Sequence, residues 1–265
     1  MYSRWQLAKQ YIRYYYQAAN GKGHGVHSPF VYSFIREVLN DQRQFYAYHY
    51  IEQLRNELMQ NNMMLSVEDL GAGSVTAATK QRTVASIARY AAKPKKWAQL
   101  IFRIVHYYQP KNIIELGTSL GITTCYMSLA RPNAHIITGE GSHEIAEQAR
   151  KNFSDLFLEN IDLIEGNFDD TLPMMIKTLS TVDLAFVDGN HRYEPTMRYF
   201  NQLLPSMSAS SVMIFDDIHW SEDMQKAWTE IKQHPAVKMT IDLFFIGLVF
   251  FREDFKIKQD FSIRY

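Results

Sequence analysis

The sequence predicts an α/β fold: a mostly parallel sheet with helices on both faces, closed by a C-terminal antiparallel hairpin and preceded by a helical N-terminal extension. Three observations predict it. From residue 112 onward, short apolar runs alternate with stretches of helical periodicity. Near residue 240, two apolar runs follow one another with only Ile246 and Gly247 between them. Before residue 96, apolar residues recur at helical spacing between glycine-bearing turns.

The strand candidates are 112–117 (NIIELG), 135–140 (HIITGE), 161–166 (IDLIEG), 182–188 (VDLAFVD) and 211–217 (SVMIFDD). Helical stretches lie between them around 122–130, 143–153, 170–179 and 194–205, and such alternation builds a parallel sheet. The final runs, VKMTIDLFF and LVFFRED, are too closely joined for a parallel return, which needs a crossover of a dozen residues or more. Upstream, Ser28-Pro29 is a helix start, with Ser as cap and Pro at the first helical position. Phe30, Val31, Phe34, Ile35 and Val38 then share a face; Leu100, Ile101, Ile104, Val105 and Tyr108 make a second stripe. These features divide the chain into an extension, 1–95, expected to pack over the ligand edge of the sheet, and an α/β domain, 96–265.

The chain has 265 residues, of which 46% are hydrophobic, enough for one large core. Its formal charge is zero, so whole-chain electrostatics imply neither nucleic acid nor a membrane as partner. Cys125 is the only cysteine, which excludes a disulfide framework. The opening MYSRWQLAKQYIRYYY has no signal-peptide pattern, and no apolar run reaches membrane-span length, so a cytoplasmic setting is expected.

The segment NIIELGTSLGITT, from Asn112 to Thr124, reads as a strand, a glycine-bearing turn and a helix start. A second strand ends in Glu140, nineteen positions after Gly121. A glycine loop of this kind, with an acid placed to take two ribose hydroxyls, points to a nucleoside-containing cofactor. The dinucleotide pattern G-x-G-x-x-G is not met, because Ser119 stands where the second glycine would let backbone lie against a pyrophosphate. The order E-x-G-x-x-x-G, from Glu115 through Gly117 to Gly121, resembles motif I of class I S-adenosylmethionine (SAM) methyltransferases. The C-terminal hairpin is similar to the end of their seven-stranded, Rossmann-like sheet, whereas a nicotinamide oxidoreductase has a sixth parallel strand. VEDLGAGS at 67–74 looks like a second such loop, but no strand ending in an acid follows it, and it reads as a connection. His24 and His27 have no carboxylate or cysteine near in sequence and read as loop residues.

Ligands of open α/β sheets sit outside the carboxyl ends of the strands. There the sequence delivers Gly117 to Gly121, Glu140, Asn167-Phe168, Asp188 and Asp216-Asp217. Three carboxylates on neighbouring strand ends repel unless a cation sits among them, and a hard divalent ion with oxygen ligands relieves that repulsion. The competing reading makes these aspartates caps of the helices that follow. LAFVDGNHRYEPTMRYF and VMIFDDIHWSEDMQKAW resemble a bacterial family of SAM-dependent methyltransferases with D-G-x-H and D-D-x-x-W motifs. The family is related more distantly to catechol-type, metal-dependent O-methyltransferases. The resemblance covers about 112–252.

That resemblance implies cofactor contacts at Glu115, Gly117, Thr118, Ser119, Gly121, Thr123, Glu140, Gly141, Asn167, Phe168 and Asp188. It places Asp188, Asp216 and Asp217 on the metal positions, for Mg²⁺ or Ca²⁺, although the catechol type has Asn where Asp217 stands. It also places His191 where the catechol type has a lysine base, and His191 reads equally as base or packed loop residue. His219 reads as structural. The expected activity is methyl transfer from SAM to a small hydroxylated molecule. A SAM-binding protein whose aspartates only cap helices is the alternative. A nucleic-acid methyltransferase lacks its N-P-P-Y-type tetrapeptide here, and the aromatic extension could pair two copies as a homodimer.

Overall fold

A computed structural model describes residues 2–68 and 80–265. Residues 69–74 of the VEDLGAGS segment therefore lie outside the described residues. The chain runs α1 (Arg4–Gln17), α2 (Pro29–Phe34) with a π-helical turn at Ile35–Leu39, and α3 (Tyr46–Leu58). Next come β1 (Met64–Val67), β2 (Lys80–Thr83), α4 (Val84–Tyr90) and α5 (Lys95–Tyr108). The alternating part follows as β3 (Asn112–Leu116), α6 (Ile122–Ala130), β4 (His135–Glu140), α7 (His143–Asp155), β5 (Ile161–Glu165) and α8 (Phe168–Leu179). It continues with β6 (Val182–Val187), α9 (Tyr193–Leu203), β7 (Met207–Asp216) and α10 (Glu222–Gln233). It ends in β8 (Met239–Asp242), β9 (Ile246–Phe250) and β10 (Gln259–Ser262).

Two compact units emerge, Met1–Asp41 with Leu179–Tyr265, and Gln42–Thr178. The extension read from the sequence is thus shared between them. In the second unit β3, β4 and β5 pair in parallel, Glu115 facing Thr138 across the β3–β4 register. β3 is buried along nearly its whole length, as expected of a parallel strand covered on both faces. In α5, Leu100, Ile101, Ile104 and Val105 are all excluded from solvent, so the stripe read from the sequence is the buried face.

In the first unit β6 pairs parallel with β7, β7 antiparallel with β9, and β9 antiparallel with β8. The C-terminal hairpin is therefore present, but its connection differs from the sequence reading. The turn is residues 243–245, with Phe244 at φ 72°, and Ile246 and Gly247 lie inside β9. Gly247 is a strand residue because a Cβ there would sit 2.7 Å from the Trp228 ring. A further strand, β10, pairs parallel with β8; its polar sequence, QDFS, carries no apolar signal. The extension is likewise not wholly helical, since β1 and β2 form an antiparallel pair. Four residues of mixed burial are too short for a period-2 pattern to stand out.

Ser28 caps α2 through the Val31 N–H, and Val31, Phe34, Ile35 and Val38 are buried. Phe30 meets Phe250 and Phe255 edge-on. Helix α1 docks where β8 ends: the Tyr14 hydroxyl donates to the carbonyls of Asp242 and Ile263, and Tyr11 and Tyr14 pack on Phe244. Since β8 runs parallel to β7, this is the carboxyl edge of the first unit's strands. No helix among the described residues is long and apolar enough to cross a membrane.

Candidate functional site

Two groups of residues, one in each unit, could carry chemistry. In the second unit the chain leaves β3 through Gly117 (φ 105°), Ser119 (φ 49°) and Gly121 (φ 75°), a sequence of left-handed turns that ends as the cap of α6. Gly121 is required twice over, because a Cβ there would also stand 2.4 Å from the Phe153 ring. The Gly117 and Thr118 N–H groups both donate to the Gly139 carbonyl at 3.0 Å, Ser119 N–H to Glu140 at 2.8 Å, and Gly121 N–H to the Thr118 carbonyl. The loop spends these donors on its own rigidity. A pyrophosphate needs such donors free, whereas SAM has no phosphate.

Glu115 is fully buried. Its carboxylate accepts from the Thr124 hydroxyl on α6 and, at 2.6 Å, from the Thr138 hydroxyl on β4. Thr138 in turn shares a 2.6 Å hydrogen bond with Thr118. Glu115 therefore ties strand, loop and helix together. Sequence reading missed Thr124 and Thr138, and a signal existed: a hydroxyl inside the apolar run HIITGE, in register with an acid in the neighbouring strand.

Glu140 ends β4 with its carboxylate accepting N–H groups from Ser119, Gly141 and Ser142. Burial nevertheless holds its carboxyl above the ordinary range, the backbone donors pulling the other way. Thr123 is buried in the first turn of α6. Asn167 is spent on α8: its side chain accepts the Asp169 N–H and its carbonyl the Asp170 and Thr171 N–H groups. Phe168 lies against Gly139, where a Cβ would come within 3.3 Å of its ring. Cys125 is buried, and burial pushes its thiol far above the usual range, so it is a packing residue.

In the first unit, β6 and β7 end at Val187 and Asp216. Asp188, His191 and Asp216 each offer a ligand atom within 4.8 Å of the others, and His191 Nε2 stands 3.6 Å from Asp188 Oδ1. Asn190, in the left-handed conformation at φ 64°, reverses the chain after Asp188 and donates to the Tyr199 hydroxyl. This turn brings His191 back beside Asp188. Asp217 falls outside the group. It too is left-handed, φ 53°, and its carbonyl accepts the Trp220 N–H. Asn and Asp both tolerate that conformation.

None of the three aspartates caps a helix. Helix α9 starts from Arg192 without a side-chain cap, and α10 starts from Ser221, whose hydroxyl accepts the Met224 N–H at 3.2 Å. The capping alternative is thereby removed. His219 is committed elsewhere: Nε2 meets Asp242 at 2.8 Å and the ring stacks on Phe244. Asp242 also accepts from Trp228 Nε1 and the Phe244 N–H, a structural junction under the hairpin.

Residues 114–218 match the family model described as a methyltransferase domain. The chain is 28% identical over 160 residues to a catechol O-methyltransferase of Niastella koreensis, covering 58% of this chain and 69% of that enzyme. It spans only 18% and 38% of two further curated relatives. Among solved structures, the SAH-bound Podospora anserina methyltransferase PaMTH1 aligns with a TM-score of 0.59 at 15% identity, over 86% of this chain and 97% of that one. The O-methyltransferase from Bacillus cereus in complex with SAH aligns with a TM-score of 0.54 at 17% identity, over 83% and 97%. At such identities the likeness shows a shared fold.

Proposed function

We propose that the chain is a class I SAM-dependent methyltransferase, and that it methylates an oxygen of a small hydroxylated molecule with a divalent ion's help. The observation that carries the ion is the meeting of Asp188, His191 and Asp216 within 4.8 Å, in turns where no aspartate caps a helix. The donor chemistry fits, since carboxylate oxygens suit Mg²⁺ or Ca²⁺. Hard ions take oxygen before imidazole, so Asp188 and Asp216 are the donors of that group, Asp217 lies outside it, and His191 is the proton acceptor.

Glu140 would hold the two ribose hydroxyls of SAM, while the Glu115 network keeps the glycine loop in shape. When bound, SAM supplies an electrophilic methyl group and the ion supplies Lewis acidity that lowers the pKa of a hydroxyl. His191, 3.6 Å from Asp188, takes the hydroxyl proton on its imidazole. The rest of the rate comes from positioning. A single buried cysteine suits a reducing compartment such as the cytoplasm.

The test is calorimetric titration of SAM, together with methyl transfer from labelled SAM to catechol as a probe acceptor, each with Mg²⁺ and with EDTA. SAM binding in both buffers and transfer only with Mg²⁺ is the expected outcome. No SAM binding in either overturns the cofactor reading. Undiminished transfer in EDTA overturns the metal alone and leaves a metal-independent methyltransferase.

A further inference from the structure

Helix α1 has two apolar faces, and its dock uses one. Leu7, Tyr11 and Tyr14 turn toward Phe244 and Phe245. At about 100° per residue, Trp5, Ile12 and Tyr16 point the opposite way. They are 87%, 56% and 79% exposed, and Tyr15 beside them is 46% exposed. Arg4 borders this strip on one side; Lys9 and Arg13 border it on the other, all exposed. No ion pair among the described residues involves any of the three. The sequence has no acidic residue before Glu37, while Lys22 and Arg36 add to its positive charge.

We propose that this outward face of α1 seats the protein on an anionic lipid surface. An apolar strip of tryptophan, isoleucine and tyrosines flanked by cations has the composition of a helix lying in a membrane interface. Trp and Tyr rings sit at headgroup level, and Lys and Arg meet anionic headgroups. The helix has 14 residues, about 21 Å, so it lies on a bilayer and does not cross it. A second copy fits less well, because a two-fold contact through this face would set the cationic borders of the two helices, Arg4, Lys9 and Arg13, against each other. Nucleic acid also fits less well, since Ile12 and Ala8 in the middle of the strip offer no ring for a base to stack on. The expectation of no membrane partner rested on whole-chain neutrality. That neutrality conceals a segment in which every charge has one sign.

The experiment is flotation of the full chain with vesicles of phosphatidylcholine alone, and of two parts phosphatidylcholine to one of phosphatidylglycerol, over a salt series. Binding to the anionic vesicles only, weakening as salt rises, is the expected result. Replacing Arg4, Lys9 and Arg13 together by Gln should weaken binding about a hundredfold, taking roughly fivefold per basic side chain. Trp5→Ala with Ile12→Ser should weaken it at least ~10-fold. Thermal melting confirms that the variants are folded, and the salt series on the wild type needs no variant. Failure to float with anionic vesicles, or equal flotation of folded variants, overturns the proposal. So does dimerisation lost in the variants without vesicle binding, which assigns the face to a second copy, or binding to oligo(dT) instead of vesicles, which assigns it to nucleic acid.

Discussion

Burial holds the Glu140 carboxyl above its ordinary range, against the pull of three backbone N–H groups. A raised folded-state pKa means that the native protein binds this proton more tightly than the unfolded chain does. Its contribution to stability is therefore greatest at acid pH and falls as pH rises from the ordinary carboxylate value through the folded one. Compared with Glu140→Gln, the wild type should lose relative stability across that window, seen as a fall in its Tm relative to the variant's. The same variant should weaken SAM binding in calorimetry. Asp216→Asn should leave SAM binding intact and weaken Mg²⁺ binding at least ~10-fold, about 1.4 kcal/mol, by titration of the ion. His191→Ala should lower kcat/KM by about 10² to 10⁴ and leave Tm unchanged. A structural His191 would instead lower Tm. Much of this was legible from residue type: Glu140 and Asp188 were found from strand ends alone. The job of Glu115 was not, because a carboxylate beneath a loop and one facing a ligand look identical in sequence.

At the scale of elements, two glycines decide how strands meet helices. Gly121 combines φ 75° with a Cβ position 2.4 Å from Phe153, so Gly121→Ala should destabilise by about 1–3 kcal/mol and loosen the cofactor loop. Gly247→Ala carries no left-handed penalty but pushes into the Trp228 ring at 2.7 Å, costing about 1–3 kcal/mol by overpacking. Urea unfolding with and without SAM separates the two: only Gly121→Ala should reduce the stabilisation that SAM confers. The central strands were readable because parallel strands buried on both faces must be apolar throughout, as β3 and β6 nearly are. β10 and the β1–β2 pair were not readable, because their polar residues are held by backbone pairing, which carries no hydropathy signal. The hairpin was foreseen and its turn misplaced by three residues, since Gly247 answers to Trp228 rather than to a turn.

For the whole molecule, the two residue groups make separable predictions. Hydrogen exchange should slow around Gly117–Gly121 and Glu140 when SAM is added with EDTA present. It should slow around Asp188–His191 and Asp216–Asp217 when Mg²⁺ is added. At a hundred times its Kd, SAM should stabilise the chain by ~2.7 kcal/mol. An ion effect confined to the first group's segments would contradict the metal assignment. The chain's alternating pattern, its E-x-G-x-x-x-G turn and the acids at its strand ends determined the α/β class, the methyltransferase resemblance and the residues that could act. These follow from sequence because periodicity and backbone-permissive residues are local properties. Only the tertiary structure decided which acids meet: it placed Asp188, His191 and Asp216 together and left Asp217 beside them. It also closed the loop's N–H groups on Gly139 and Glu140, and turned the second apolar face of α1 to solvent. Each of these depends on side chains or backbone groups far apart in sequence coming within a few ångströms, which packing fixes and composition does not.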